Sequence, residues 1–192
     1  MLWESFRKGD REAFATLFRQ HYELLFRYGS RLTPDADLLE DLIQELFLEL
    51  WQSRSNTPVL SVRAYLLKSL KYKLLKVFRQ QGRLKRLSAG DDNIFEWSHE
   101  SFLIAEQENA EKKQRVLNAL GHLSNRQREI IYLKYYQNLS YEEVGEIMNI
   151  NYQVARNLLY QAMKSLKKWL PGPLGIFFLY STLRQALHFW CF

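Results

Sequence analysis

Residues 139–168 contain the pattern that most restricts how this chain can fold, because they predict two short helices joined by a tight turn. Ser140 and Glu143 have the spacing of a capping box, in which each side chain satisfies a backbone N–H at the start of a helix. Asn151 is of a residue type that favours the N-cap of a second helix. The two helices have the layout of a helix-turn-helix. We expect the inward face of the second helix to consist of Val154, Leu158, Ala162 and Leu166.

The second helix of this motif carries polar side chains on a separate face. Arginine, asparagine and glutamine can form paired hydrogen bonds with guanine and adenine edges in the major groove of DNA. The pattern therefore predicts a helix that reads DNA, although a helical hairpin with a solvated basic face would show the same pattern. The residues of this face are Gln153, Arg156, Asn157, Tyr160 and Lys164.

Charge and cysteine content narrow the class of protein. The formal net charge is +6, which suits an anionic partner, either nucleic acid or an acidic membrane surface. The single cysteine, Cys191, excludes a disulfide framework and a cysteine metal site, and it fits a reducing compartment. The first residues contain no apolar run, so we expect no secretory signal and a cytoplasmic location.

No constellation of residues predicts catalysis. The sequence contains no glycine-rich phosphate loop and no nucleophile elbow, and its four histidines are scattered. Carboxylates at Asp41 and Glu45 could bind a metal, but no histidine lies near them, which disfavours that interpretation. We therefore expect a protein that is not an enzyme, with no catalytic residue, no cofactor and no metal site.

The overall organisation is predicted to be all-α, because helical periodicity dominates and glycine and proline are scarce. We expect two small helical domains, at residues 1–86 and 110–170, joined by an acidic linker at 87–109. The helix-turn-helix belongs to the second domain. An apolar tail, expected to be helical, follows at 171–192.

Local signals place the ends of several helices. Thr33 is predicted to be an N-cap followed by Pro34 at the first helical position, which opens a helix that ends near Trp51. In the second domain, Ser124 and Gln127 form another capping-box match.

The helix of residues 35–51 has an acidic outer side. Its inner face is predicted to consist of Leu39, Leu42, Ile43, Leu46, Leu50 and Trp51. An acidic stripe with an exposed leucine could bind a basic partner helix, and a solvated acidic face above a core fits the pattern equally well. The outward residues that would bind a partner are Asp41, Gln44, Glu45 and Leu48.

A long helix from about Val62 to Gln81 is basic and contains no acidic residue. Cations interleaved with aromatic rings suit single-stranded DNA, because the cations follow phosphates while the rings stack on unpaired bases. A charged face with tyrosines at the core margin is the alternative. We expect a buried stripe of Leu66, Leu70, Leu74 and Val77, and an exposed face with Tyr65, Lys68, Tyr72, Lys76, Arg79 and Arg83.

The tail after Leu170 is apolar and aromatic, and Pro171 and Pro173 separate it from the preceding helix. Arg184 interrupts the apolar run, whereas a membrane-spanning helix needs about 20 mostly apolar residues. An amphipathic helix that packs on protein is favoured over one that binds a membrane surface.

Together these segments resemble the bacterial sigma-70 family, specifically its extracytoplasmic-function (ECF) group. The segment Asp41-Leu42-Ile43-Gln44-Glu45-Leu46-Phe47, followed by Trp51 and by Arg63-Ala64-Tyr65-Leu66, resembles the family's second conserved region. The segments 123–129 and 139–144 resemble the fourth. The resemblance covers about residues 10–168.

The resemblance implies a transcription initiation factor that binds core RNA polymerase and promoter DNA. The acidic helix would bind the clamp helices of the polymerase β′ subunit, and the polymerase β flap is a further expected contact. The helix-turn-helix would read the minus-thirty-five element, and an anti-sigma factor is a possible partner. The minus-ten element would be opened and held by Asn56, Arg63, Tyr65, Lys68, Tyr72, Lys76 and Arg79.

Two other functions remain open from the residues alone. A helix-turn-helix regulator acting without polymerase would explain residues 110–168, but it would not explain the acidic and basic helices. A membrane-surface interaction protein would use the tail and the net positive charge.

Overall fold

The computed structural model describes residues 2–53, 59, 61–82, 95–96 and 110–170. Every regular element within these ranges is helical, as the sequence predicts. The chain divides into two compact units between residues 94 and 95, except that residues 146–148 group with the first unit. Asn56, Arg83, most of the linker and the whole tail lie outside the described residues, so the expectations for them stay predictions.

The N-terminal unit contains four helices: α1 (Leu2–Arg7), α2 (Arg11–Gly29), α3 (Ala36–Ser53) and α4 (Val62–Gln80). Asp10 caps α2 by accepting hydrogen bonds from the backbone of Glu12 and Ala13, and Ser61 caps α4. Helix α2 packs against α1, α3 and α4, and α3 packs against α4. Leucine supplies much of the core, which includes Leu25, Leu39, Ile43, Leu66, Leu67, Leu70 and Leu74.

The start of α3 differs from the prediction. Helix α3 begins at Ala36, and the Asp35 carboxylate accepts a hydrogen bond of 3.0 Å from the backbone N–H of Leu38. The Thr33 hydroxyl instead accepts from the backbone N–H of Asp35, at 3.2 Å. The helix therefore begins two residues later than the Thr33-Pro34 pattern suggested, because the aspartate is the side chain that reaches the free N–H groups of the first turn.

Helices α2 and α3 approach closely at Gly29. A Cβ atom at this position would overlap the buried side chain of Leu39. Aromatic rings fill the interface further along, where Phe47 of α3 lies 4.9 Å from Phe18 and 6.1 Å from Phe14, measured between ring centroids. This contact fixes the rotation of α3, and with it the direction of its acidic side.

The buried face of α4 is wider than predicted. Phe78 is buried and Val77 is only half-buried, so the predicted end of the stripe at Val77 is wrong. Ala64 and Leu67, which the prediction omitted, are also buried. They extend the apolar face around the helix toward the side on which Phe78 lies.

The C-terminal unit contains α5 (Ala110–Gly121), α6 (Asn125–Ile131), a π-helical turn (Tyr132–Tyr136), α7 (Tyr141–Met148) and α8 (Tyr152–Trp169). Both predicted capping boxes are confirmed, with Ser124 and Gln127 at the start of α6 and Ser140 and Glu143 at the start of α7. Asn151 caps α8 through the backbone N–H of Val154, at 2.8 Å. Periodicity gave no sign of the π-helical turn, in which a backbone N–H bonds to the carbonyl five residues earlier, as Gln137 does to Tyr132 at 3.0 Å.

The inward face of α8 is rotated from the predicted one. Ala155, Leu159, Ala162 and Leu166 are buried, whereas Val154 is 43% exposed and Leu158 is half-buried. The predicted set advanced in steps of four residues, which drift around a helix of 3.6 residues per turn. Alternating steps of four and three remain on one side, and this is the side that packs against α5 and α6.

Candidate functional site

The residues predicted to read DNA lie on α8. Gln153, Arg156, Asn157, Tyr160 and Lys164 are all exposed, and Tyr160 has 69% of its surface accessible. They occupy positions separated by three, one, three and four residues, which bring them to one side of the helix. This side differs from the buried one, so α8 can enter a groove without losing its packing on α5 and α6.

Two of these side chains are joined to each other. The Gln153 side-chain amide donates to the Asn157 side-chain oxygen over 3.2 Å, one helical turn apart. The bond uses one of the two lone pairs of the Asn157 oxygen, so the second lone pair and the amide nitrogen remain for an external partner.

The turn that precedes α8 sets its direction relative to α7. Asn149 ends α7 in the left-handed conformation, with φ of 53°, a conformation that asparagine tolerates better than most residues. The backbone N–H of Ile150 donates to the Gly145 carbonyl at 2.9 Å. A Cβ atom at Gly145 would lie 2.7 Å from the Ile150 carbonyl oxygen, so the turn closes tightly only over glycine.

The predicted protein-binding face lies on α3. Asp41, Gln44, Glu45 and Leu48 are exposed, and Leu48 has 59% of its surface accessible. Leu42, Leu46 and Leu50 are buried beneath them. An exposed apolar side chain on the same face as exposed carboxylates can contact a basic amphipathic helix through both charge and burial.

Lys73 of α4 connects this face to the neighbouring helix, a contact that sequence reasoning missed. Its ammonium lies 3.2 Å from the Glu45 carboxylate and 2.8 Å from that of Glu49. The Lys73 side chain is only 12% exposed, whereas both carboxylates are more than half exposed. The hydrogen bond from Lys73 lowers the pKa of Glu49. The absence of acids from α4, next to the acid-rich α3, was the available signal.

The predicted single-strand-binding face lies on α4. Lys68, Tyr72, Lys76 and Arg79 are exposed, and Tyr72 has 65% of its surface accessible. Exposed cations one turn from an exposed ring can follow a phosphate backbone while the ring stacks on a base.

Two residues of the same prediction are less accessible. Tyr65 is half-buried and packs edge-on against Trp3 of α1, with 6.0 Å between ring centroids. Arg63 is also half-buried, and its charge lies near His21 of α2. Burial lowers the His21 pKa, and the Arg63 guanidinium lowers it further. Tyr65 and Arg63 are therefore partly held by the N-terminal unit's own packing.

The described residues contain neither a cluster of metal ligands nor a membrane-spanning helix. Within those ranges, no group of three or more histidine, cysteine, aspartate or glutamate side chains could hold a metal ion. None of the helices described combines the length and the apolar character needed to cross a bilayer.

Comparison with known sequences identifies both units. The family described as Sigma-70 region 2 matches residues 17–84, and that described as Sigma-70, region 4 matches residues 113–166. The ECF RNA polymerase sigma factor SigK of Mycobacterium ulcerans is 27% identical over 168 residues, which cover 85% of this chain and 88% of that protein. The ECF factor SigE of Mycolicibacterium smegmatis is 26% identical over 174 residues, with coverage of 84% and 64%.

Solved structures share the fold. The sigma factor RpoE of Bartonella quintana, crystallised in complex with the anti-sigma factor NepR, has a TM-score of 0.57 and 23% identity. The alignment covers 82% of this chain and 96% of RpoE. CnrH, in complex with the cytosolic domain of CnrY, has a TM-score of 0.57 and 21% identity, with coverage of 88% and 94%.

Proposed function

This chain belongs to the ECF group of the sigma-70 family, and we propose that its three exposed helical faces divide the work of transcription initiation between polymerase and promoter. It is an initiation factor that directs RNA polymerase to specific promoters. The observation that carries this assignment is the presence of region 2 and region 4 in that order, at 17–84 and 113–166.

The acidic face of α3 is proposed to bind core RNA polymerase at the clamp helices of its β′ subunit. Asp41, Gln44, Glu45 and Leu48 would make the contact. The exposure of all four supports the proposal, and so does the buried leucine row that holds α3 in place. The β flap is the further polymerase contact that we propose for the C-terminal unit.

The basic face of α4 is proposed to hold the non-template strand of the minus-ten element. Lys68, Lys76 and Arg79 would contact phosphates, while Tyr72 would stack on an unpaired base. The half-buried Tyr65 and Arg63 would contribute at the margin of this surface, and Asn56 remains a predicted contact. Stacking on exposed bases favours the separated strands, so binding energy alone would promote melting.

The outer face of α8 is proposed to read the minus-thirty-five element in the major groove. Arg156 and Asn157 would contact base edges, with Gln153 and Tyr160 beside them and Lys164 closer to the phosphates. Their exposure on one side of a capped helix supports this role. The proposed domain limits are 1–86 for the polymerase-binding and minus-ten domain and 110–170 for the helix-turn-helix domain. The acidic linker would span 87–109, and the apolar tail 171–192.

A protein with these roles would act by binding rather than by catalysis, and it would work in the cytoplasm, where its polymerase partner is found. Membership of a family of non-enzymatic initiation factors supports the first point. We propose no cofactor and no catalytic residue.

The test is in vitro transcription with core RNA polymerase on a promoter library. Transcripts should begin at a defined set of promoters when the chain is present, and these promoters should share two upstream sequence elements. The same start sites with and without the chain would overturn the proposal. Capture of the purified chain by core polymerase separates it from a helix-turn-helix regulator that acts alone.

Regulation by an anti-sigma factor is proposed as well, by analogy with the complex that contains RpoE and NepR. The apolar tail at residues 171–192 is a candidate for this contact, since aromatic and apolar side chains favour protein interfaces. Deleting the tail should change solubility, promoter output or partner binding. If all three stay the same, the tail has no regulatory role.

A further inference from the structure

We propose that Tyr152 determines the specificity of α8 indirectly, by holding the Arg156 guanidinium in position for one base of the DNA. The inference rests on the proposed function of α8 as the reader of the minus-thirty-five element. It assigns a role to a residue outside the predicted reading face. Tyr152 would act as a positioning residue, and Arg156 would make the base contact.

The geometry of the first turn of α8 carries the argument. The Arg156 guanidinium carbon lies 5.8 Å from the centroid of the Tyr152 ring, four residues earlier in the same helix. This distance is within the range in which an aromatic face attracts a cation. Spacing of four residues brings the two side chains to the same side of the helix, so the contact forms without distortion of the backbone.

The Tyr152 ring is itself supported from α7. Tyr141, the first residue of α7, meets it edge-on, with ring centroids 5.6 Å apart and an interplanar angle of 69°. The Lys134 ammonium lies 4.7 Å from the Tyr141 ring and donates a hydrogen bond of 2.7 Å to the Leu139 carbonyl. A row of alternating contacts therefore runs from the π-helical turn through two rings to Arg156.

Support for the ring matters because the arginine is exposed and has several rotatable bonds. A guanidinium contacts guanine through two parallel hydrogen bonds, which require a particular plane and direction of approach. A side chain already confined near that direction loses less conformational entropy on binding. The benefit applies to the base that Arg156 reads, whereas a change in general affinity would affect all sequences alike.

Two substitutions separate the ring from its hydroxyl. Tyr152→Phe keeps the aromatic face, and Tyr152→Leu removes it while keeping an apolar side chain. Trp169→Leu is the control, because it removes an exposed aromatic side chain from the far end of the same helix, outside the proposed reading face, and leaves the Tyr152–Arg156 pair. Each variant is prepared as the full-length chain and combined with core polymerase. Transcription is then measured on a promoter library randomised in the upstream element, and Arg156→Ala is the reference variant.

The expected result is a change confined to the base position at which Arg156→Ala loses its preference. Tyr152→Leu should reduce discrimination there by about two- to fivefold, the size expected of an exposed cation–ring contact. Tyr152→Phe should stay close to the unchanged chain, and Tyr152→Leu should have no further effect once Arg156 is Ala. An effect at a different base, an equal loss in Tyr152→Phe, or a loss that persists beside Arg156→Ala would overturn the inference.

A second measurement does not depend on DNA or polymerase. In NMR spectra of the free chain, the Arg156 side-chain protons should show a ring-current shift that Tyr152→Phe keeps and Tyr152→Leu abolishes. Absence of this shift overturns the pairing, even if the chain directs transcription as proposed. If the shift is present but no base preference depends on Arg156, the specificity role of Tyr152 is overturned. The proposed initiation function is not affected by that result, because in vitro transcription tests it separately.

Discussion

At the scale of single residues, the turn between α7 and α8 leaves little choice of side chain at Gly145. The backbone N–H groups of Asn149 and Ile150 both donate to the Gly145 carbonyl. The Ile150 carbonyl oxygen lies 2.7 Å from the position that a Cβ atom of residue 145 would take, which is too close for an unstrained contact. The obstruction is backbone, which cannot move aside as a side chain does.

Gly145→Ala should therefore destabilise the C-terminal unit. The overlap should cost about 1–3 kcal/mol, as overpacking does. Alanine would recover at most about 1 kcal/mol through its higher helix propensity. Urea unfolding of the full chain would measure the difference.

Gly121→Ala is the matched control for this substitution, because a Cβ atom at Gly121 would meet nothing within 4 Å. It should leave the free energy of unfolding unchanged or slightly raised. Equal losses in both variants would show that the tight turn is not the cause.

His21 should make the stability of the N-terminal unit depend on pH. Burial and the Arg63 charge hold its pKa in the folded chain below the ordinary value of 6.5. When the pH falls below about 6.5, the unfolded chain takes up the proton first, so the free energy of unfolding decreases. The decrease ends once the pH passes below the folded pKa, where both states carry the proton.

The measurement is urea unfolding between about pH 8 and pH 5, across the range in which histidine titrates. His21→Gln should remove part of the decrease, and His122→Gln, an exposed position in the other unit, is the control. If the decrease is as large in His21→Gln as in the unchanged chain, a different group causes it.

At the scale of elements, α3 and α4 are held together by buried leucines in the core and by Lys73 near the surface. The ammonium bridges Glu45 and Glu49 across the helix pair. Its position holds one carboxylate of the proposed polymerase-binding face in place. Because both carboxylates are exposed, solvent screens much of the attraction.

Lys73→Met should lower the free energy of unfolding of the N-terminal unit by less than about 1 kcal/mol at neutral pH. The folded pKa of Glu49 is depressed below 4.5, so its contribution is present above that value and is lost as the pH falls through the folded pKa. The difference between the variant and the unchanged chain should therefore shrink in acid. Arg19→Met, which removes a positive charge at an exposed position of α2, is the control. A difference that is independent of pH would exclude the carboxylates as its source.

At the scale of the whole molecule, we propose that polymerase binding and duplex reading belong to different units. The acidic face of α3 lies in the N-terminal unit, and the proposed reading face of α8 lies in the C-terminal unit. The assignment implies that damage to one surface should leave the other function intact.

Reversing the charge of Asp41 and Glu45 together, as Asp41→Lys with Glu45→Lys, should weaken capture of the full chain by core polymerase. Repulsion from a basic partner would replace attraction. Binding of the full chain to duplex DNA should not weaken. Polymerase pull-down and DNA titration measure the two effects.

Glu12→Lys with Glu23→Lys makes the same change in net charge at exposed positions of α2, and this control should leave polymerase capture unchanged. Loss of both functions in the Asp41 and Glu45 variant would contradict the division. So would an equal loss of capture in the α2 control.

The helices and their caps could be predicted because the interactions that set them act over a few residues. The capping boxes at Ser124 and Ser140 and the cap at Asn151 each involve partners three residues apart, and all three are confirmed. The all-α fold was predicted from helical periodicity, and membership of the sigma-70 family from the resemblance of residues 41–66, 123–129 and 139–144; both predictions are confirmed. These properties are determined by the sequence itself.

Only the tertiary structure decided which side of each helix is buried and which charged groups meet. Val154 and Ala155 are adjacent apolar residues, and the packing of α8 on α5 and α6 buries Ala155 and leaves Val154 exposed. Lys73 meets Glu45 between α4 and α3, and the rotation of α3 is set by the distant residues Gly29 and Phe47. Tyr152 meets Tyr141 between α8 and α7, whose arrangement is set by the tight turn at Gly145. Such contacts depend on three-dimensional packing between elements, and residue spacing along one helix carries no information about it.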